Sequence, residues 1–413
     1  MSRSDQDVSP TVGALLRRAL ARGRFMDGVV GEVLITVFAF LFAFILGALL
    51  IAFTDQGVLH QFSYFFAQPG VALGAAWAKV ASAYGALIQG SVGSWGALAE
   101  TTAQAAPLIF AGLGVALAFR VGLFNIGGQG QAIWGAIGAG YVGFAVHAPI
   151  YIHLPLAILA GVATGAAWAG IAGLLRAHFG AHEVIVTIML NYVAANLLLW
   201  LLGTSMFADP ARRDPISPPV SITAMLPDIS GRLNTGFALA LLAAEAVWWI
   251  LDHTQLGFSI RAVGANGEAA ATAGMSVKTT LTLTMVISGI LCGLAGVQMV
   301  LAPTVLHEPM RLTVGLVGNV GFNAITVALL GRSRPVGVVL AGLLFGALQA
   351  GGLKMQTDAQ TPYELANVIQ ALIVMFVAAP MLVRTLVPFM KAKRPPAKTA
   401  VAEADVATEA VMA

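Results

Sequence analysis

The sequence predicts an all-α integral membrane protein with about ten transmembrane helices, and three observations predict it. Of the 413 residues, 58% are apolar and only 10% are charged, against about 25% charged in an ordinary soluble domain. The mean hydropathy is +0.85. Ten stretches stay apolar over the roughly 20 residues that a helix needs to cross a hydrocarbon core. This composition excludes a soluble globular protein, a disordered chain and a disulfide scaffold, since Cys292 is the one cysteine. A formal net charge of +3 gives nucleic acid little to bind.

The expected spans run over 29–53, 100–119, 123–146, 154–175, 184–203, 235–251, 279–301, 313–330, 335–350 and 365–385. The first follows an Arg-rich flank and is too long for the h-region of a signal peptide, so it reads as an uncleaved signal-anchor. Residues 54–96 are less apolar and are interrupted by Lys79, Gln89 and Ser91. They are expected at the outer interface. The chain then divides into a cytoplasmic segment 1–28, a membrane domain 29–390 and a tail 391–413, rich in Ala, Lys and Pro and expected to be disordered. Charge sets the orientation. With both termini inside, only Lys79, Arg212, Arg213, Arg232, Arg311 and Lys354 of the 22 Lys and Arg fall outside. That asymmetry supports N-in, C-in with an even number of spans.

Small residues recur every four positions at Gly161, Gly165, Ala169 and Gly173, and again at Gly289 and Gly293. They predict close helix packing. Two segments read differently. Gly122-Leu-Phe-Asn125-Ile-Gly127-Gly128-Gln129-Gly130-Gln131 opens the third span, and Gly315-Leu-Val-Gly318-Asn319-Val-Gly321-Phe-Asn323 lies in the eighth. Each carries Asn-(Ile/Val)-Gly in a glycine-interrupted run, at matching places in two five-span sets. An odd-numbered repeat inserts inverted relative to its copy, and paired broken helices point to a midplane transport site.

Polar residues inside spans are costly and face a partner or a cavity. Glu183, Thr187 and Asn191 share one face of span five, Asn319 and Asn323 one face of span eight, and Asn367 and Gln370 are i, i+3 on span ten. Uncharged amides suit a neutral, hydroxyl-rich solute better than an ion. The candidate lining residues are Phe124, Asn125, Gln129, Gln131, Trp134, Asn191, Asn319 and Asn323. The alternative role for each Asn is an interhelical hydrogen bond. Phe124 and Trp134 suit either stacking on a ring or packing against neighbours.

No GxxxxGK[ST] is present, so nothing here cradles a nucleotide phosphate. Gly112-Leu-Gly114 and Gly128-Gln-Gly130 lack the third glycine of a dinucleotide fingerprint. His178, His182 and Glu183 lack metalloprotease spacing and a third ligand, so no metal is expected, and no cofactor. No catalytic residues emerge, and the chain is not expected to be an enzyme. Rival readings are a membrane enzyme and a secondary transporter driven by an ion gradient. The second would need an intramembrane carboxylate, and Glu245 stands alone in span six.

The loop 252–278 holds Asn266-Gly-Glu268-Ala269-Ala270-Ala-Thr-Ala-Gly274. Asn266 is a plausible N-cap, Glu268 sits in the first turn where the dipole favours an anion, and Gly274 can end the helix. A short cytoplasmic helix between two spans is expected, either a plain connector or an element on which a partner pulls.

Glu268-Ala269-Ala270 with Gly274 resembles the loop by which ABC importer permeases dock onto their ATPase. Gly114 to Gln131, His182 to Asn196, Leu256 to Gly274 and Ser288 to Gln298 together resemble the branched-chain amino acid, sugar and nucleoside permease superfamily. Within it the chain is most similar to nucleoside-type permeases that work with basic-membrane-protein-type lipoproteins. The likeness covers roughly 95 to 385. It implies a plasma-membrane permease subunit that imports a small neutral solute, a nucleoside first and a simple sugar or branched-chain amino acid as the alternative. It implies three partners besides the lipid bilayer: a cytoplasmic ABC ATPase, a second related permease subunit and an extracytoplasmic substrate-binding lipoprotein. The docking element would be Glu268, Ala269, Ala270 and Gly274. Where the family often has an acidic residue this chain has Gln129, which leaves the solute open.

Overall fold

A computed structural model describes residues 34–304 and 308–386. The expected cytoplasmic segment 1–28 and the tail 391–413 lie outside the described residues. The chain divides into two units. The smaller is described over 34–45 and 375–386, where the Phe42 and Phe376 rings lie 5.7 Å apart. The larger, Leu46–Val374, carries everything that follows.

The helices in chain order are α1 (Leu34–Thr54), α2 (Gln56–Phe62), α3 (Pro69–Val92), α4 (Trp95–Arg120), α5 (Gly128–Ala145), α6 (Ile150–Phe179) and α7 (Glu183–Leu202). After them come α8 (Thr235–His253), α9 (Gln255–Ala265), α10 (Gly267–Thr272), α11 (Val277–Leu301), α12 (Val320–Leu330), α13 (Pro335–Asp358), α14 (Tyr363–Ala378) and α15 (Pro380–Leu386). Among the described residues eight helices are long and apolar enough to cross a membrane: α1, α3, α4, α6, α7, α8, α11 and α13.

This set differs from the expected ten in two ways. It includes α3, inside the stretch read as interfacial, because 24 residues form one helix of mean hydropathy 1.4 despite Lys79. It leaves out the third, eighth and tenth expected spans. Glycine dilutes α5, α12 has only 11 residues, and α14 has 16. At about 1.5 Å per residue α12 is roughly half as long as a hydrocarbon core is thick. The chain before it, Val314–Asn319, is non-helical and in turns. Such backbone is tolerated at membrane depth only where protein covers it.

The core is a bundle in which α4, α5, α6 and α11 meet. Glycine sets the spacing. A Cβ on Gly135 would lie 2.3 Å from the Gly293 carbonyl oxygen, and one on Gly165 would lie 2.7 Å from that of Gly289. Backbones in direct contact exchange the larger dispersion surface that lipid would otherwise match. Ala105, Leu108, Ile109, Ala111, Leu113, Val115 and Ala118 of α4 are fully buried, which makes α4 the central post.

Four short strands lie in the loops at one end of this bundle. β1 (Ile216–Pro219) pairs antiparallel with β4 (Arg311–Thr313), Ile216 opposite Thr313. β2 (Asp228–Ser230) pairs with β3 (Leu233–Asn234) in a hairpin. The hairpin is fixed to α4 by Arg232, which bonds Glu100 at 2.9 Å, and by Trp95 Nε1, which donates to Ser230 Oγ at 2.7 Å. α3 is tied to the same end. Lys79 Nζ donates to the Ala359 carbonyl at 2.9 Å and pairs with Asp55 at 2.7 Å, holding that carboxyl below its usual range. Thr101 Oγ1 donates to the Ser91 carbonyl. The opposite end gathers Arg120, whose Nε donates to the Ser333 carbonyl at 3.0 Å, and the Arg176–Glu183 pair at 3.3 Å.

Candidate functional site

The two glycine-interrupted segments meet in space. α5 begins only at Gly128, after a non-helical stretch opened by Gly122 with φ +84°. Side chains, not helix bonds, hold this stretch. Asn125 Oδ1 accepts from the Gly127 N–H at 2.9 Å, a local turn that amide side chains favour. Asn125 Nδ2 donates to Ser288 Oγ at 2.9 Å and to Gln131 Oε1 at 3.2 Å, and Gln131 Nε2 donates back to Asn125 Oδ1. Asn191, from α7, accepts from the Gly130 N–H at 2.8 Å and donates to the Ile126 carbonyl at 3.0 Å. Gln129 crosses to the second segment. Its Nε2 donates to the Gly318 carbonyl at 2.6 Å and its Oε1 accepts from the Gly321 N–H at 2.8 Å. There the backbones touch, because a Cβ on Gly321 would lie 2.0 Å from the Gln129 nitrogen.

Four of the eight expected lining residues are therefore tied up in one network. Asn125, Gln129, Gln131 and Asn191 are buried, with both ends of each amide engaged. Trp134 stacks on Trp168 with centroids 4.8 Å apart. Phe124 is 42% exposed and stacks on Phe119 at 5.0 Å.

Asn319 and Asn323 lie elsewhere, on the wall of a cavity of about 450 Å³, within the range of small-molecule sites. Four further amides share that wall: Gln104 of α4, Gln349 of α13, and Asn367 and Gln370 of α14. Gln104 Nε2 donates to Glu100 at 2.8 Å. The side chains of Asn319, Asn323, Gln349, Asn367 and Gln370 make no hydrogen bond within the described residues, and the buried Gln370 Oε1 is unpartnered. No side chain on this wall carries a charge at neutral pH. Pro107 and Met299 close one side, and with Gln104 they also border a smaller cavity of about 190 Å³ that reaches Arg232 in the hairpin. Pro107 has no N–H to offer the carbonyl of Ala103, which lies on that smaller wall. None of the four further amides is among the expected lining residues: Asn367 and Gln370 stand out in the sequence only as polar residues on one face of span ten, and for Gln104 and Gln349 the signal was an amide inside an apolar span.

The third feature is the segment after α8. α9 occupies the first part of the expected loop, and α10 is the short helix itself. Asn266 Oδ1 accepts from the Ala269 N–H at 3.0 Å, Glu268 lies in the first turn, and Gly274 follows the helix at φ +84°. Ala270 is buried, while Glu268, Ala269 and Gly274 are exposed. The seat of this element is rigid. A Cβ on Gly264 would lie 2.0 Å from the Arg120 carbonyl oxygen, so α9 rests directly on the end of α4.

Residues 97–378 match the family described as branched-chain amino acid transport system, permease component. A guanosine ABC transporter permease protein of Bacillus subtilis is 40% identical over 319 residues, 76% of this chain and 90% of that protein. A nucleoside ABC transporter permease protein of Lactococcus lactis is 33% identical over 379 residues, 89% of this chain and 96% of that protein. A glucose ABC transporter permease protein of Haloferax volcanii is 35% identical over 318 residues, 74% of this chain and 82% of that protein. No solved structure matches the chain at a significant level. A family match over most of the cavity-bearing bundle, and relatives that align nearly end to end, place the chain: it belongs to the branched-chain amino acid transport system permease family, as a multi-pass ABC importer permease subunit and not an enzyme.

Proposed function

We propose that this permease imports a nucleoside across the plasma membrane and that the amide-walled cavity is where the solute pauses. The observation that carries the reading is the uncharged wall. Six amides surround the cavity with no carboxylate or ammonium among them. A zwitterionic amino acid would enter with both charges unpaired, which is costly away from water. A nucleoside offers hydroxyls and ring polar groups that amides match. Its named guanosine and nucleoside relatives point the same way. A simple sugar is the second reading, supported by the glucose permease relative and by the same wall.

The proposed working parts follow from position. α10 is the lever for a cytoplasmic ATPase, with Glu268, Ala269, Ala270 and Gly274 as the docking element. It connects through Gly264 to the Arg120 end of α4, and α4 carries Gln104 and Pro107 to the cavity. Arg120 also holds the Ser333 turn that follows α12, the helix of Asn323. A pull on α10 thus reaches both walls. The lever end collects Arg120, Arg176, Arg261, Lys278, Arg332 and Arg334 and is placed in the cytosol. α3 keeps its contacts with the opposite end and is read as not crossing, which preserves N-in, C-in. The meeting of the two broken segments at Gln129 and Gly321 supports the inverted five-plus-five repeat. A second permease subunit and an extracytoplasmic lipoprotein complete the proposed assembly.

The test is reconstitution of the importer with its ATPase and receptor. ATP-dependent uptake of guanosine is expected, competed by other nucleosides and not by leucine. Glu268→Arg combined with Gly274→Leu should abolish both uptake and solute-stimulated hydrolysis while leaving the folded permease intact. Uptake that survives this change would remove α10 as the lever. Leucine competition would remove the nucleoside reading.

A further inference from the structure

We infer that Gln370 is the specificity-determining residue of the cavity, accepting a hydrogen bond from a hydroxyl or amino group of the solute. The inference rests on the nucleoside reading and narrows it to one atom. Gln370 borders the cavity and is only 7% exposed, so its amide is removed from bulk water. Its Oε1 is buried and accepts nothing among the described residues. Buried polar atoms are paired as a rule, and an exception in a native fold calls for an explanation.

Five deeply buried amides of the bundle show what a structural role looks like: Asn125, Gln129, Gln131 and Asn191 each bond at both ends, and Gln298, whose Oε1 is also unpartnered, still donates from Nε2 to Asn234 Oδ1 at 3.0 Å. Gln370 does none of this, although Asn367 lies one turn away on the same helix and the two face the same space. A half-turn about χ3 exchanges its oxygen and nitrogen, so the acceptor is one rotamer from the cavity. The wall holds no charge that would attract an ion to it. What satisfies an amide oxygen in such a place is a neutral donor, and a nucleoside carries several. A site that hydrogen-bonds a solute group rejects the analogue lacking that group, because its own polar atom is then left unpaired.

The experiment is ATP-driven uptake by the complete importer, comparing wild type with Gln370→Met, which keeps length and apolar volume but removes the acceptor. The solutes are guanosine, its 2′-deoxy, 3′-deoxy and 5′-deoxy analogues, and inosine, which lacks the exocyclic amine. Because the receptor is the same throughout, its own preferences cancel in the double ratio. For one analogue, wild type should lose about tenfold in uptake relative to guanosine, whereas Gln370→Met treats the two alike. Less than about twofold coupling for every analogue overturns the assignment while wild-type guanosine uptake keeps the nucleoside reading. A wild-type importer that carries no nucleoside overturns both. If Gln370→Met does not reach the membrane, Gln370→Asn, which withdraws the amide by one methylene, must show the same loss of discrimination.

Discussion

Two groups of amides sit in this bundle, and they do opposite work. Asn125, Gln129, Gln131 and Asn191 lie where helices are broken: Asn125, Gln129 and Asn191 bond backbone groups there, and Gln131 holds Asn125 in place. Asn319, Asn323, Gln349, Asn367 and Gln370 surround open space, and their side chains bond nothing among the described residues. Burial alone does not separate them, because Gln370 at 7% exposed is as buried as Gln129 at 8%. Partnership does. In a low-dielectric interior a satisfied amide fixes geometry, whereas an unsatisfied one is held in reserve for something that arrives later.

Substitution should therefore separate the groups by stability and by function. The largest effect is expected where the broken segments touch. Gly321→Val would drive a side chain into the Gln129 and Gly128 backbone, the nearest atom at 2.0 Å, with no flexible side chain to yield. Loss of monodisperse protein in detergent is the expected result. A well-behaved, transport-competent variant would show that the two segments are not in contact. Next comes the direct contrast. Asn125→Leu leaves the Gly127 N–H, Ser288 and Gln131 without their partner, a cost of about 3–5 kcal/mol when two or more buried groups are orphaned. Asn323→Leu orphans nothing and should change stability by less than about 0.5 kcal/mol. Its uptake should nevertheless fall by about tenfold or more. Denaturation in detergent alongside uptake in proteoliposomes reads both, and equal stability losses would erase the distinction between the two groups.

Much of the fold was legible because apolar runs and small-residue spacing are local signals. Gly161, Gly165, Gly289 and Gly293 announced a close crossing, and they make one. The two Asn-x-Gly interruptions announced broken helices, and α5 and α12 both begin late. The candidate site was legible only in kind. An Asn in a span advertises a polar need, but not whether a backbone or a solute meets it. Asn125 and Asn319 share the same Asn-x-Gly text, yet the first faces Ser288 and the second faces the cavity. Partners such as Ser288 for Asn125 are 163 positions away, and nothing in the local sequence marks them. Gln349 stands alone in its span, without a polar i, i+3 or i, i+4 companion, and Gln104 has its i−4 companion, Glu100, only at the very start of the span. α3 differed for a related reason: Lys79 reads as an interruption until its pairing with Asp55 and the Ala359 carbonyl is seen.

The smallest effect concerns the loops at the end opposite the lever, where charge rather than amide chemistry ties β1 to β4. Asp209 accepts from the Ala211 N–H at 3.0 Å and from Arg311, which also donates to the Ser217 carbonyl at 3.1 Å. The Ala211 bond first and Arg311 second hold the Asp209 carboxyl below its ordinary value of 3.8. A carboxyl lowered on folding stabilises the folded loops at every pH above its unfolded value, and the contribution is lost as pH falls through the lower folded value. The Leu312 N–H, which donates to Ser217 Oγ at 2.9 Å in the same strand pair, reports on it. Its protection from hydrogen exchange, corrected for intrinsic rate, should stay flat from neutral pH down to about 4 and fall only below that. In Arg311→Met the fall should begin at the same pH but be smaller and finish at higher pH, because one of the groups that lower the folded value is gone. A midpoint near pH 6 in the wild type would mean that a histidine, not Asp209, governs the pairing of these strands.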